Sequence, residues 1–178
     1  MSSLAALLGI LEDSWEDTVT LSRHDFLVVE GETATPLYLV LDWSLRVFIE
    51  NEKEQHNIRF GYKNSIITAL DAFISIEPTS FYIQAIKKCS LKMMYKLTFE
   101  KLVNLNTTHK EIWNSVLKEF VGQQLEREID LITYAPKMRH RRVLKRSPQV
   151  FQEIPYKHIA SYLRLSPETL SRIMKNLD

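Results

Sequence analysis

A single cysteine, Cys89, stands in 178 residues, so no intrachain disulfide and no cysteine cluster for a metal can form, and a reducing compartment is expected. Glycine is scarce at four residues, and none of them opens a phosphate-cradling loop or a nucleophile elbow. The five histidines, at 24, 56, 109, 140 and 158, are scattered. They include no His-x-His pair with a nearby glutamate, which a metal-dependent jelly-roll enzyme would need. Paired catalytic carboxylates are missing as well, so the chain reads as neither an enzyme nor a cofactor carrier. No apolar run approaches a membrane span, and the stretch Leu4–Leu11 lacks the basic flank and cleavage site of a signal peptide. A cytoplasmic protein without a membrane partner is the expectation.

What is present is a polarised distribution of charge. The formal net charge is only +1, yet residues 137–178 carry ten Lys/Arg against three acids, while residues 1–136 carry 13 against 19. The C-terminal quarter is thus net +7, the kind of patch that releases counterions from nucleic-acid phosphates.

That basic region contains two short helical patterns joined by a tight turn. In the first, residues 156–163, Ile159 and Leu163 lie four apart, with the small Ala160 between them. The turn is Arg164-Leu165-Ser166. In the second, Ser166 suits the N-cap, Pro167 the first helical position and Glu168 the first turn. Leu170, Ile173 and Leu177 form its apolar stripe, leaving Glu168, Thr169, Ser171, Arg172, Lys175 and Asn176 on the polar side. A helix-turn-helix places such a second helix in the major groove of double-stranded DNA. There Arg172 can fork onto guanine O6/N7, Glu168 can accept from cytosine N4, and Ser171 can bond a base or a phosphate. Thr169, Lys175, Lys157, Arg141 and Arg142 are the candidate phosphate and supporting contacts. The competing reading of the run Lys137–Arg146 is a solvated helix face.

Upstream, residues 25–95 hold short β-branched and aromatic runs: Phe26–Val29, Leu37–Leu41, Leu45–Ile49, Asn57–Phe60, Phe81–Ile86 and Leu91–Tyr95. Their spacing predicts an antiparallel barrel or jelly roll, interrupted at Ile66–Ile76 by a short helical or irregular insert. A short helix is expected around Thr98–Leu105, followed by a long one over Lys110–Thr133. In the long helix Trp113, Leu117, Val121, Leu125, Ile129 and Ile132 recur at four, four, four, four and three. This stripe outreaches one small barrel, and polar residues flank its latter half. A homodimer through residues 110–133 is therefore expected.

The order β-roll, long helix, helix-turn-helix resembles the Crp/Fnr transcription regulators over nearly the whole chain. The residues that carry the resemblance are Phe26–Gly31, Leu37–Phe48 and, most specifically, Ile159–Ile173. Glu-Thr-x-Ser-Arg is similar to the family's recognition helix, which implies base contacts for Glu168, Ser171 and Arg172. Segments 54–77 and 154–160 are similar to members from Bacteroidetes-type bacteria. Cyclic-nucleotide-binding members carry a glutamate for the ribose and an arginine for the phosphate. Alignment on Thr79–Tyr82 puts Ala69 and Thr79 at those places, with Ser80 beside them, so this pocket is degenerate and tight binding of cyclic AMP in the usual mode is not expected. The cysteine set of oxygen-sensing members is absent too. Arg164 replaces the family's turn glycine, at a cost of about 1 kcal/mol if the left-handed backbone is kept. Trp43 stands where a glycine often makes a hairpin turn, and the end at Asp178 leaves room for at most a short wing.

The expected fold is α+β: a double-stranded β-helix or jelly roll of the cyclic-nucleotide-binding type over residues 1–108, a dimerisation helix over 109–134 and a helix-turn-helix domain over 135–178. The expected function is sequence-specific DNA binding by a homodimeric regulator. The alternative is a ligand-sensing or scaffold roll that has lost DNA binding. For the roll itself, an unidentified small-molecule effector, a protein partner and a purely structural role all stay open.

Overall fold

The computed structural model describes residues 2–33, 35–52, 54–75 and 77–175, so the expectations for Asn176 and Leu177 fall outside the described residues. Among the described residues eight strands and eight helices follow one another in chain order. Helix α1 (Ser3–Leu11) leads into β1 (Asp17–Leu21), β2 (Phe26–Val28), β3 (Leu37–Val40), β4 (Leu45–Asn51), β5 (Glu54–Gly61) and β6 (Ile66–Ile67). Helix α2 (Leu70–Ile74), β7 (Tyr82–Ala85), β8 (Cys89–Met94) and α3 (Lys96–Val103) complete the roll. The long α4 (Thr107–Ile132) then connects to α5 (Pro136–Arg146), α6 (Pro148–Glu153), α7 (Tyr156–Leu163) and α8 (Pro167–Lys175).

The roll is two four-stranded sheets, ordered β1-β8-β3-β6 and β2-β7-β4-β5, with every pairing antiparallel. Between them Val28, Val40, Leu45, Val47, Ile83 and Leu91 interdigitate as the apolar core. Gly61 is required by this closeness, because a Cβ there would stand 2.9 Å from the Ile67 side chain. Trp43 takes the left-handed conformation, φ 53°, that its place in the hairpin demands, and the Lys87 ammonium sits 4.4 Å from its ring centroid.

The outer side of β4 does not alternate as a solvent-facing strand would, since Leu45, Arg46, Val47 and Phe48 are all buried. Arg46 gives its Nε and Nη2 protons to Gln84 at 3.0 and 2.6 Å and lies 4.0 Å over the Phe48 ring, which stacks on Tyr82. This sheet face is covered rather than wet.

Several boundaries differ from the sequence expectation. The insert predicted over Ile66–Ile76 begins with a two-residue strand, β6, that pairs with β3 before the short α2 forms. Strand β1 was not expected because Asp17-Thr-Val-Thr carries little apolar signal; pairing with β8 overrides propensity. Helix α4 starts at Thr107 rather than Lys110, since the Asn106 side chain caps it by accepting from the His109 N–H at 2.8 Å. Helix α6, a single short turn after Pro148, is a further element the pattern did not reveal.

The first turns of α4 belong to a second core, in which Val116, Ile112, Trp113 and Phe120 meet Leu7, Leu11, Phe73 and Phe99. Farther along, the stripe is uncovered: Val121 is 60% exposed, Leu125 55%, Ile129 42% and Ile132 79%. A third core, built from Val143, Val150, Ile154, Ile159, Leu163 and Leu170, joins α5 to α8 and takes in Phe60 and Ile86 from the roll.

Candidate nucleic-acid interface

The two-helix unit is closed by local chemistry. Arg164 lies at φ 54°, ψ 47°, the left-handed conformation in which α7 ends, and the Leu165 N–H donates to the Ala160 carbonyl at 2.9 Å. Ser166 caps α8 by accepting from the Thr169 N–H at 3.2 Å. Leu170 and Ile173 face inward. Glu168, Ser171, Arg172 and Lys175 are exposed at positions three and four apart, so they share one helix face. Thr169 is half-buried and its hydroxyl is bonded to that of Ser166 at 3.1 Å. The Glu168 carboxyl is held below the usual carboxylate range by hydrogen bonds from its own backbone N–H and from Ser166. It is therefore an ionised acceptor at neutral pH.

The supporting residues divide. Lys157 on α7 and Arg141 on α5 are exposed. Arg142 corrects the expectation of a free phosphate contact: its Nε donates to Asp130 at 2.9 Å and its Nη2 to Glu126 at 2.8 Å. Arg146 completes the cluster on the same two acids. Asp130 is fully buried, so this network fixes α5 against α4, and part of the basic run is consumed in it. Arg139 is likewise structural. It donates to the Thr133 carbonyl at the end of α4 and to the Leu163 carbonyl at the end of α7, joining two helix C-termini. Asp130 and Arg139 escaped sequence reasoning; Asp130 is one of three acids, with Glu126 and Glu128, in the last turns of α4, and the sequence does not single it out.

The unit is docked on the roll through α7 and β5. The Asn57 N–H donates to the Ser161 hydroxyl at 3.1 Å, the Asn57 amide donates to the His158 carbonyl at 3.1 Å, and the Ser161 hydroxyl donates to the Gln55 carbonyl at 3.0 Å. His158 is buried there, and burial, with the positive charges of Arg46, Lys157 and His24 adding to it, pushes its imidazole down to about 4. It is neutral at physiological pH.

The residues aligned with the ligand anchors do not form an open pocket. Ala69 is fully buried and Thr79 is 2% exposed, whereas Ser80 is exposed. Asp71, two positions beyond Ala69, ties Thr79 and Ser80 together. Its carboxylate accepts from the Thr79 hydroxyl at 2.7 Å and from the Ser80 N–H at 2.8 Å. Next to it a cavity of about 720 Å³ runs between the roll and α4, walled by Val47, Ile58, Leu70, Phe81, Leu117 and Phe120, with Arg59 and Asp71 as its charged members. Among the described residues no group of three or more His, Cys, Asp or Glu side chains is placed to hold a metal, and no helix is long and apolar enough to cross a membrane.

No family model matches the chain, and no curated protein matches it by sequence. Solved structures do match its fold. FixK2 from Bradyrhizobium japonicum superposes with a TM-score of 0.74 at 16% identity, over 90% of this chain and 83% of that one. A cyclic nucleotide-binding domain containing protein from Listeria monocytogenes gives 0.72 at 15% identity, over 99% and 90%. CLP from Xanthomonas campestris, described as a c-di-GMP responsive global regulator, gives 0.68 at 13% identity, over 97% and 91%. Over nine-tenths or more of its length the chain therefore has the fold of these proteins: a cyclic-nucleotide-binding-type β-roll, a long helix and a C-terminal set of helices.

Proposed function

We propose that this protein is a sequence-specific, DNA-binding transcription regulator of the Crp/Fnr type that works as a homodimer. The observation that carries the reading is the free face of α8. Glu168, Ser171, Arg172 and Lys175 project together from a capped helix whose other side is locked by Leu170 and Ile173, the arrangement base readout requires. Dimerisation is supported by the uncovered row Val121, Leu125, Ile129 and Ile132, an apolar stripe that a second copy of α4 would bury. Two α8 helices then enter successive major grooves, about 34 Å apart, on a pseudo-palindromic site. CLP, whose fold the chain shares, is by its description a global regulator.

Cyclic AMP is not the effector in the usual mode. A phosphate brought to Thr79 and Ser80 would meet the Asp71 carboxylate already bonded to both, so charge repulsion replaces charge-assisted pairing. The apolar walls of the neighbouring cavity suit an uncharged or weakly polar effector better.

Selection of random duplex DNA on the purified protein at two salt concentrations, with and without cyclic AMP, tests the reading. The expected result is an enriched two-fold-symmetric site, indifferent to the nucleotide, with affinity falling steeply as salt rises. Enrichment that requires cyclic AMP would overturn the account of Asp71. Failure to enrich at either salt would leave a scaffold that has lost DNA binding.

A further inference from the structure

A second cavity, of about 260 Å³, lies where β5, α4 and the two-helix unit meet. Three guanidinium groups line it, those of Arg59 from β5, Arg127 from α4 and Arg146 from α5, together with Tyr62, Tyr162 and Ser147, and its lining holds no carboxylate. Only Arg146 is neutralised, by Asp130 and Glu126. Neither Arg59 nor Arg127 is in an ion pair among the described residues.

Arg127 is the unusual member. It is 6% exposed, its guanidinium lies 3.7 Å from the Tyr162 ring centroid, and its Nη2 reaches the Asn57 carbonyl only at 3.4 Å. Its Nη1 is buried and has no hydrogen-bond partner at all. Arg59 gives one proton to Gln123 at 3.0 Å and lies 4.7 Å from the Phe120 ring centroid. Burial lowers the pKa of both groups against an opposing effect of Tyr162; at Arg127 the charges of Arg164 and Arg146 add to the lowering and Asp130 acts against it. Buried charges in folded proteins are paired or bind ions, since leaving them alone costs several kcal/mol. Aromatic faces and neutral amides compensate part of that cost, but two arginines without an ion pair among the described residues, lining one cavity that holds no carboxylate, favour an anion there.

We infer that this junction is a binding site for a small phosphate-bearing anion, held by Arg59, Arg127 and Arg146. At about 260 Å³ the cavity is slightly smaller than ordinary ligand sites, which run roughly 300–1,000 Å³, and so suits a phosphate ester or pyrophosphate group rather than a large cofactor. It adjoins the larger cavity beside Asp71, with which it shares Ile58, Arg59 and Gln124, but Asp71 itself is not among its lining residues. Because its three arginines come from the roll, α4 and α5 and its wall includes Tyr162 of α7, an anion there binds the docked arrangement better than any other. By linkage it stabilises that arrangement.

The inference does not depend on DNA binding, and its test uses the whole protein without DNA. Thermal melting and calorimetric titration are run at fixed ionic strength with pyrophosphate, orthophosphate, AMP and citrate. Pyrophosphate is expected to raise the melting temperature saturably, and Arg127→Met and Arg59→Gln are each expected to weaken its binding by about tenfold. Without anion, Arg127→Met should melt no lower than the unmodified protein, because it removes an unpaired buried cation. AMP binding more tightly than orthophosphate assigns the site to a phosphate ester, and the reverse assigns it to free phosphate. A shift that persists in both variants, that follows ionic strength alone, or that citrate matches overturns the inference.

Discussion

Arg164 offers the sharpest test of the turn between α7 and α8. A residue with a Cβ pays roughly 1–2 kcal/mol to sit in the left-handed region, and Arg164 sits there at φ 54°, ψ 47°. Its side chain is exposed, so truncation opens no cavity. The informative comparison is Arg164→Gly against Arg164→Ala. Both remove the same charge and the same repulsion towards Arg127, and they differ only in the Cβ and in backbone freedom. Glycine escapes the strain but loses about 0.4–1 kcal/mol through its freer unfolded chain. The net expectation is that glycine is the more stable by about 1 kcal/mol, or roughly 2–4 °C in melting temperature for a chain of this size. In a right-handed helical turn the order reverses, with alanine ahead by about 1 kcal/mol. Thermal or urea melts of the two variants decide between these signs. Alanine equal to or above glycine would refute the left-handed turn.

Other residues give equally direct expectations. Arg172→Ala should cost about 1–3 kcal/mol of operator affinity and relax preference at one base pair, whereas Arg141→Ala should weaken all sequences alike and lower the salt slope by about one; competition binding at several salt concentrations separates the two. Asp130→Ala leaves Arg142 and Arg146 without their buried partner and should cost about 2–3 kcal/mol in denaturant unfolding, less than a fully buried pair because both arginines are partly exposed. Leu125→Glu on the exposed stripe should shift sedimentation to the monomer while leaving the far-ultraviolet spectrum unchanged. His158 titrates near 4 in the folded protein against an ordinary value near 6.5, so between those limits the unfolded chain binds the extra proton. Stability is therefore complete above pH 6.5 and falls on acidification by up to about 3 kcal/mol, a slope that His158→Phe should flatten between pH 6.5 and 5.

The elements carrying strong periodic signals were readable in the sequence, and those held by partners elsewhere in the chain were not. Helix α8 was legible because Ser166, Pro167 and the Leu170–Ile173 spacing each encode part of it locally. Strands β3, β4 and β8 were legible from their apolar runs, and β5 only over Asn57–Phe60, since its polar start at Glu54–His56 reads as a break. Strand β1 was not, because its only reason to be extended is the edge of β8, far away in sequence. At the candidate site, the exposed face of α8 followed from amphipathicity, but the fate of Arg142 did not. One basic residue in a run looks like another until the fold shows that Asp130 faces it. Asp71 was missed for a related reason: alignment asks which residue replaces an anchor, and the decisive group here is a neighbour, two positions from Ala69, that takes up the anchor's hydrogen bonds.

The docking of α7 on β5 bears on how the reading helix is aimed. Ser161 and the His158 carbonyl, which lie on the first helix of the pair, are bonded to the roll, while the free face of α8 makes no such bond. The helix tied to the roll and the helix with the proposed reading face are thus different ones. The Asp130 network and Arg139 add a second constraint, fixing the same unit to α4, whose exposed stripe is the proposed dimer seam. In such a dimer the separation of the two α8 helices is set jointly by the seam, through α4, and by the roll, through β5. A change in the roll that loosened Asn57 from α7 would leave the Asp130 and Arg139 ties intact, so the unit would pivot about the end of α4 rather than detach. Small shifts at β5 would then change the separation of the two α8 helices in the proposed dimer without disturbing the exposed face that carries Glu168, Ser171 and Arg172.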